Sequence, residues 1–287
     1  MPSSTPLPFE LPPDVVMHRD LEFVMRLTGP MYLDLYLPAN AAKPTPLVIF
    51  MFGGAWMQND KLRVQEQGGL DVLEHGYAVA AVNYRLTDVA TWPAQIMDVK
   101  AAIAWLRIHA AEYGLDPERF ATRGASSGGH LASMAGLADA MPEWEPPNIE
   151  QAGPLGSRVQ AVVNFFGPTD FLQMDTHALP NPPFLHDDPQ SPESKLVGGP
   201  IQDNQAQVQA ANPINYIGST VPPFLTVHGD QDMLVPHHQS VLLHEALAAV
   251  NADVTFYTVE GGGHGHGGEF GSTALISMVV EFLRTKL

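Results

Sequence analysis

The fold is decided by the stretch Gly124-Ala125-Ser126-Ser127-Gly128-Gly129-His130, which contains the pattern G-x-S-x-G. This pattern is typical of a strand that turns sharply into a helix, where glycines remove Cβ atoms that would otherwise collide. Such a turn presents the hydroxyl of Ser126 at the C-terminal edge of a sheet, beside the backbone N–H of Ser127. Five residues are a weak signal by themselves, so the flanking sequence must supply the strand and the helix.

The flanking sequence supplies both. Residues 119–124 are predicted to form the strand that leads into the turn, and Leu131, Met134, Ala135 and Ala138 recur after it at helical spacing. The same alternation of strand and helix continues along the chain. Strands are predicted at 21–27, 31–37, 46–51, 77–84, 119–124, 159–166, 223–228 and 254–259, and helices at 61–75, 93–111, 240–250 and in the closing segment that contains Leu275 and Phe282.

Alternating strands and helices predict an α/β fold with a mostly parallel, eight-stranded sheet and helices on both faces. No linker divides the chain, so we predict one domain over residues 1–287, with a proline-rich N-terminal arm at 1–16. The irregular stretch 168–213 is too long for a simple connection and is interpreted as a small inserted cap. Within it, His186-Asp187-Asp188 could bind a cation, but a solvated turn is the favoured interpretation.

Composition narrows the classes of partner. The 287 residues include 14 basic and 31 acidic side chains, which gives a net charge of −17. Nucleic acids and anionic membranes are therefore unfavourable partners, and a neutral substrate is expected. Absence of cysteine excludes thiolate catalysis. The first residues lack the pattern of a signal peptide, and no stretch is apolar enough to span a bilayer, so we expect a cytoplasmic protein.

Two later loops carry the groups that a serine nucleophile needs, namely a general base and a carboxylate that orients it. Asp230 and Asp232 follow the strand at 223–228, while His264 and His266 follow the strand at 254–259. The order serine, acid, base along the chain agrees with the turn at Ser126. Spacing does not separate the two aspartates or the two histidines. The two histidines could also form half of a metal site, but this interpretation is less favoured because no third ligand is evident.

A serine nucleophile also needs N–H donors for the oxyanion that develops during the reaction. One donor would come from Ser127. The others are expected in the loop after the strand at 46–51, whose sequence is Phe52-Gly53-Gly54-Ala55-Trp56. Small residues in this loop allow the backbone to approach a substrate closely.

These motifs together resemble the α/β-hydrolase superfamily. Within it, they are similar to the carboxylesterase branch that includes feruloyl esterases, acetyl-xylan esterases and the hormone-sensitive-lipase group. The matching segments are FGGAW at 52–56, GASSGGHLA at 124–132, FGPTD at 166–170, HGDQDMLVP at 228–236 and GGGHG at 261–265. The resemblance covers nearly the whole chain.

The resemblance implies an α/β-hydrolase fold and a role for each site residue. It implies a nucleophile at Ser126, an acid at Asp232 and a base at His264. It implies oxyanion donors at the backbone N–H groups of Gly54, Ala55 and Ser127. It requires neither a cofactor nor a metal.

Three positions depart from the family pattern. Phe52 stands where the family usually has histidine, and Ala55 where it has a third glycine. Arg123 places a charge directly before the turn, where an apolar residue is usual. Next to the altered loop, Trp56 is a candidate substrate-binding residue, although it would serve equally well to pack the loop.

The resulting hypothesis is a serine carboxylic-ester hydrolase that acts through an acyl-enzyme on small neutral esters with short acyl, aryl or sugar groups. One alternative is an amidase similar to arylformamidases. Another is a ligand-binding member of the fold without catalysis, which is disfavoured because Ser126 and His264 are both present.

Overall fold

An eight-stranded sheet organises the computed structural model, which describes residues 7–139, 141–218 and 220–287. The strands are β1 (Val15–Arg26), β2 (Gly29–Pro38), β3 (Thr45–Met51), β4 (Ala78–Val82), β5 (Leu115–Ala125), β6 (Ala161–Phe165), β7 (Phe224–Gly229) and β8 (Val254–Val259). Their order in the sheet is β1-β2-β4-β3-β5-β6-β7-β8. Strand β2 is antiparallel to both β1 and β4, and the remaining neighbours are parallel, so the predicted sheet is confirmed.

The central strands are buried because their sequences are continuous apolar runs. All five residues of β4 and the stretch 47–51 of β3 are buried. A strand without polar alternation is typical of a parallel sheet that is covered on both faces. In the register of β3 with β5, Met51 pairs with Gly124, which places the ends of both strands at the same edge of the sheet.

Helices cover the sheet. They are α1 (Ala94–Ile108), α2 (Ala110–Tyr113), α3 (Ser127–Leu137), α4 (Pro192–Val197), α5 (Gln205–Ala211), α6 (His238–Ala249) and α7 (Thr273–Lys286). Thr122 of β5 donates through Oγ1 to the carbonyl of Ala132 in α3 at 3.2 Å, which fixes that helix on one face. The next residue, Arg123, points to the opposite face. There it shares a cavity with Leu275 and Val279 of α7.

The predicted N-terminal arm ends earlier than expected. Residues 1–6 lie outside the described residues, and β1 begins at Val15, inside the predicted arm and well before the strand predicted at 21–27. Val15 pairs with Pro38, and the register shifts between His18 and Leu21. Asp20 at this shift has a φ of 53°. The irregularity breaks the period-2 pattern of the strand, which explains why its first half was missed.

The helix predicted at 61–75 is wrong. The segment contains only two short 3₁₀ turns, Lys61–Val64 and Leu73–His75. Gly68 between them has a φ of 71°, and a Cβ at Gly69 would lie 2.6 Å from Val64. These glycines interrupt the helical hydrogen bonding and let the segment pack closely on the sheet.

A buried histidine in α3 adds a pH dependence to the fold. His130 is inaccessible to solvent, and its Nε2 lies 2.7 Å from the carbonyl oxygen of Ala211. Burial lowers the pKa of His130 to about 4, although the hydrogen bond to Ala211 opposes the shift. The folded protein therefore takes up this proton at a lower pH than the unfolded chain does.

We expect this residue alone to lower the free energy of unfolding by about 3 kcal/mol between about pH 7 and about pH 4. Above the ordinary histidine pKa, His130 is neutral in both the folded and the unfolded protein, so the free energy of unfolding is not reduced. Below that pKa only the unfolded chain binds the proton, and the free energy of unfolding falls. Urea unfolding at both pH values should show a smaller pH dependence in His130→Gln than in the wild type. Comparing each protein with itself cancels the packing cost of the substitution. An equal pH dependence in both proteins would contradict the expectation.

Candidate active site

The turn at Ser126 has the strained geometry that its sequence predicts. Ser126 has φ 56° and ψ −122°, between the end of β5 and the first residue of α3. A Cβ at Gly124 would lie 2.1 Å from the carbonyl oxygen of Gly128, and a Cβ at Gly128 would lie 2.0 Å from that of Met51. No other residue type fits at either position without moving the backbone. The turn therefore presents the Ser126 side chain at the edge of the sheet.

Asp232 and His264 form a hydrogen-bonded pair next to this edge. Nδ1 of His264 lies 2.7 Å from Oδ2 of Asp232. The other carboxylate oxygen accepts hydrogen bonds from the N–H groups of Leu234 and Val235, at 2.8 and 2.9 Å. A carboxylate held in this way orients an imidazole with its second nitrogen free. The structure thus brings together the aspartate and the histidine that the resemblance implies.

A second histidine, which the sequence reading overlooked, also contacts Asp232. His228 is fully buried, with Nε2 3.2 Å from Oδ2 of Asp232 and Nδ1 2.7 Å from Oγ of Ser240. Burial acts to raise the pKa of Asp232, but hydrogen bonds from His228 and His264 outweigh it and hold the pKa well below its ordinary value. Asp232 is therefore ionised at neutral pH.

Asp230 and His266, the alternative candidates for the acid and the base, make other contacts. Oδ1 of Asp230 accepts a hydrogen bond from the N–H of Gly261 at 2.8 Å, so Asp230 ties two loops together. His266 is exposed, and its Nδ1 lies 3.1 Å from the carbonyl oxygen of His264. In the part of the chain that the structure describes, no group of three or more His, Cys, Asp or Glu side chains is arranged to hold a metal ion.

Ser126 and His264 line one cavity of about 710 Å³. Within the described residues, Oγ of Ser126 has no direct hydrogen bond to His264. Hydrogen bonds between a nucleophile and its base are often looser in proteins without bound substrate. The ring of Phe166 packs on His264 with 4.5 Å between centroids and limits the positions that the imidazole can occupy.

The loop after β3 has free N–H groups beside Ser126. Gly54 has a φ of 152° and Ala55 a φ of 56°. Among the residues with described positions, neither of these two N–H groups has a hydrogen-bond partner. By contrast, the N–H of Gly53 donates to Oε1 of Gln67 at 2.7 Å. The N–H of Ser127, the first residue of α3, lacks a partner within its own helix. All three predicted donors therefore lie at the cavity with capacity to bind an anion.

Phe52 is accommodated by an aromatic neighbour. Its ring stacks on Tyr84 at 4.3 Å between centroids, and the Tyr84 hydroxyl donates to the Phe52 carbonyl at 2.9 Å. The same hydroxyl lies 3.4 Å from Oγ of Ser127. Further along the loop, Nδ2 of Asn59 donates to the carbonyl of Gly53 at 2.7 Å. These contacts brace the loop although the usual histidine is absent.

Trp56 contributes to both packing and the cavity. Its side chain is nearly inaccessible to solvent and packs edge-on against His130 and at a tilt against Phe171. Atoms of Trp56 also line the cavity beside Ser126. Both readings of this residue from the sequence therefore have a structural basis.

The stretch 168–213 supplies part of the cavity wall through Pro168, Phe184, His186 and Glu193. The interpretation of His186 as part of a solvated turn is wrong. His186 is buried, and its Nδ1 lies 3.1 Å from Oε2 of the equally buried Glu193. No short motif joins these two residues, so their contact could not be predicted from the sequence.

Another wall of the cavity contains Arg123, the charged residue that departs from the family pattern. Arg123 is buried beneath the segment 65–71, and its Nη2 lies 3.4 Å from Oδ2 of Asp71. Its guanidinium also lies 5.1 Å from the ring centroid of Phe165. All three residues line the same cavity as Ser126.

The sheet order and the strand-to-helix turn at Ser126 define an α/β-hydrolase. A family model described as BD-FAE matches residues 33–247, and the chain belongs to this family. The match begins within β2, extends through β7 and includes the loops that carry Ser126 and Asp232.

Individual relatives agree with this assignment. Esterase LipQ of Mycobacterium tuberculosis is 34% identical over 251 residues, covering 87% of this chain and 57% of LipQ. The chain spans about half the length of the curated relatives it matches. A truncated carbohydrate esterase from gut microbiota has a TM-score of 0.80 at 33% identity, covering 94% of this chain and 96% of that chain. Butyrate-bound Est2, an esterase of Thermogutta terrifontis, has a TM-score of 0.73 at 25% identity, with 95% and 94% coverage.

Across residues 7–139, 141–218 and 220–287, no helix is both long and apolar enough to cross a membrane.

Proposed function

We propose that this chain is a serine carboxylic-ester hydrolase in which Ser126, His264 and Asp232 act as nucleophile, base and acid. The observation that carries the proposal is the hydrogen-bonded pair of His264 and Asp232 at the cavity that Ser126 also lines. Free N–H groups at Gly54 and Ala55 border the same space. Esterase relatives support this reaction class.

In the first half of the reaction, Oγ of Ser126 attacks the ester carbonyl carbon and Nε2 of His264 takes the serine proton. The carbonyl oxygen becomes negatively charged and accepts hydrogen bonds from the N–H groups of Gly54, Ala55 and Ser127. When the ester C–O bond breaks, His264 returns the proton to the leaving alcohol. The acyl group is then bound to Ser126.

In the second half, water attacks the acyl-enzyme while His264 takes a proton from it. Collapse of the second tetrahedral intermediate releases the carboxylic acid and returns the proton to Ser126. Asp232 stays ionised throughout, because its low pKa reflects the hydrogen bonds that it accepts. Its role is to fix the imidazole tautomer and to stabilise the imidazolium that forms in each half.

Small neutral esters with short acyl, aryl or sugar groups are the substrates we propose, including acetyl and feruloyl esters. The net charge of −17 disfavours anionic substrates. Relatives described as a carbohydrate esterase and as a butyrate-bound esterase are consistent with this range. We propose that the stretch 168–213 acts as a cap that selects among them, because Phe184 and Glu193 project into the cavity.

A substrate panel tests the proposal. The purified protein should hydrolyse 4-nitrophenyl acetate and butyrate faster than 4-nitrophenyl esters of long fatty acids, and it should hydrolyse ethyl ferulate or acetylated xylose as well. N-formylanilines belong in the same panel, because a higher kcat/KM for the formyl amide would favour the amidase alternative. Hydrolysis of every compound at the rate of the buffer would contradict enzymatic function.

A further inference from the structure

Arg123 has more hydrogen-bonding capacity than its surroundings use. A guanidinium carries five N–H donors. In the described residues, Nη1 is buried without any partner, and the contact of Nη2 with Asp71 is long at 3.4 Å. Only 5% of the residue is exposed, so bulk water does not compensate. A buried charged donor without an acceptor is costly, and a protein normally avoids one.

The local backbone is shaped around this side chain. Gly68 has a φ of 71°, and a Cβ there would lie 2.9 Å from Oδ2 of Asp71 and 3.4 Å from Nη2 of Arg123. The segment above the guanidinium thus leaves space where a larger residue would close it. Arg123 belongs to β5, three residues before Ser126, and both residues line one cavity.

The residues that line the cavity around Arg123 indicate which chemical group would bind there. One wall is polar and includes Gln65, Gln67 and Asp71, and the other is apolar and includes Phe165 and Val279. An apolar chain or ring that carries an oxygen acceptor would satisfy both walls. A carboxylate is disfavoured because Asp71 already faces the guanidinium and the protein is strongly acidic.

We propose that Arg123, held by Asp71 over the ring of Phe165, forms a specificity subsite for an uncharged oxygen acceptor on the acyl or alcohol group of the substrate. This inference rests on the proposed esterase function, because it places the subsite in the cavity of Ser126. The subsite would bind an ether, hydroxyl or carbonyl oxygen through Nη1. A substrate without that oxygen leaves the donor unpaired, so the subsite selects against purely hydrocarbon groups.

An oxygen scan tests the subsite. One series keeps 4-nitrophenol as the leaving group and replaces one methylene at a time of a heptanoyl chain with oxygen, from C3 outward, so that every member is an ether ester. A second series keeps an acetyl group and makes the same replacements from C3 outward in a hexyl alcohol. Rates are normalised to hydroxide-catalysed hydrolysis, which removes differences in intrinsic reactivity. The wild type should prefer at least one ether over its parent ester by about tenfold or more.

Arg123→Met should abolish that preference, whereas Arg284→Met, which changes an exposed arginine at the far end of α7, should retain it. If Arg123→Met does not fold, Arg123→Lys should still reduce the preference, because an ammonium cannot place its donors as the guanidinium does.

A wild type without preference for any ether would overturn the proposal. So would an equal preference in Arg123→Met, which would reduce Arg123 to a structural partner of Asp71. A higher normalised rate for a hemisuccinate ester than for every ether ester would overturn the assignment of an uncharged group.

Binding separates this inference from the proposed function. In Ser126→Ala, the Kd values of the preferred ether ester and its hydrocarbon parent can be measured by calorimetry without turnover. Their ratio should be about tenfold or more, and it should fall towards unity when Arg123→Met is added. If the wild type hydrolyses no ester, the esterase proposal fails while this ratio still decides the subsite. If hydrolysis is normal and the ratio is unity, only the subsite fails.

Discussion

Replacing Ser126 with alanine is expected to lower kcat/KM for 4-nitrophenyl acetate by roughly 10⁴-fold to 10⁶-fold, because the nucleophile of the acyl-enzyme is lost. The fold should persist, since alanine removes only an oxygen at a residue whose backbone is fixed by its neighbours. The N–H of Ser126 donates to the Phe165 carbonyl at 2.9 Å, and its carbonyl accepts from the N–H of His130 at 3.0 Å. Steady-state kinetics and circular dichroism measure the two properties.

Ser133→Ala, in the helix that follows Ser126, is the matched control. Its hydroxyl donates to the carbonyl of Gly129 at 3.0 Å, one turn away within α3, and it does not line the cavity. We expect kcat/KM to stay within about threefold of the wild type. Comparable activity in Ser126→Ala and the wild type would show that Ser126 is not the nucleophile.

The second large effect is expected for Asp232→Asn. The amide oxygen of asparagine can still accept from the N–H groups of Leu234 and Val235. The other terminal atom is then an NH₂ group, which cannot accept a hydrogen bond from either His228 or His264. His264 would then be held in the wrong tautomer, and kcat should fall by about 10⁴-fold. KM should change much less, since Asp232 has no contact with the cavity.

The same substitution removes a contribution to stability that depends on pH. Because the pKa of Asp232 is depressed in the folded protein, its contribution is present above the ordinary carboxyl pKa and is lost as the pH falls through the folded value. At neutral pH, Asp232→Asn should therefore unfold at a lower urea concentration than the wild type. The difference between the two proteins should shrink as the pH falls below the ordinary carboxyl pKa.

Asp230→Asn is the control that separates the two aspartates. Asp230 accepts from Gly261 with a carboxylate that an amide oxygen can replace, so we expect less than a tenfold change in kcat. A large loss in Asp230→Asn together with a small one in Asp232→Asn would reverse the assignment of the acid.

Much of the fold could be predicted because it depends on local pattern. Apolar runs of strand length and the glycines around Ser126 predicted the parallel sheet and its sharp turn. Local irregularity limited the rest. The shift near Asp20 concealed the first half of β1, and Gly68 with Gly69 prevented the helix expected at 61–75. In both places, the backbone geometry of single residues overrode the periodicity of the segment.

Sequence could name the candidate groups of the site but could not choose among them. Asp230 and Asp232 are two residues apart in one loop, so only the folded chain shows which one lies beside His264. The pairing of Arg123 with Asp71 and that of His186 with Glu193 join positions that no short motif connects. Such contacts are made by the fold as a whole, and a single sequence carries no local signal for them.

The most direct test of Ser126 as the nucleophile is covalent labelling by diethyl 4-nitrophenyl phosphate. An activated serine in a preorganised oxyanion site should displace 4-nitrophenol and become diethylphosphorylated. We predict a single adduct on the peptide that contains Ser126, found by mass spectrometry, with loss of ester hydrolysis in proportion to labelling. Hydrolysis that persists in protein fully labelled at Ser126, or an inactivating adduct on another residue, would contradict it.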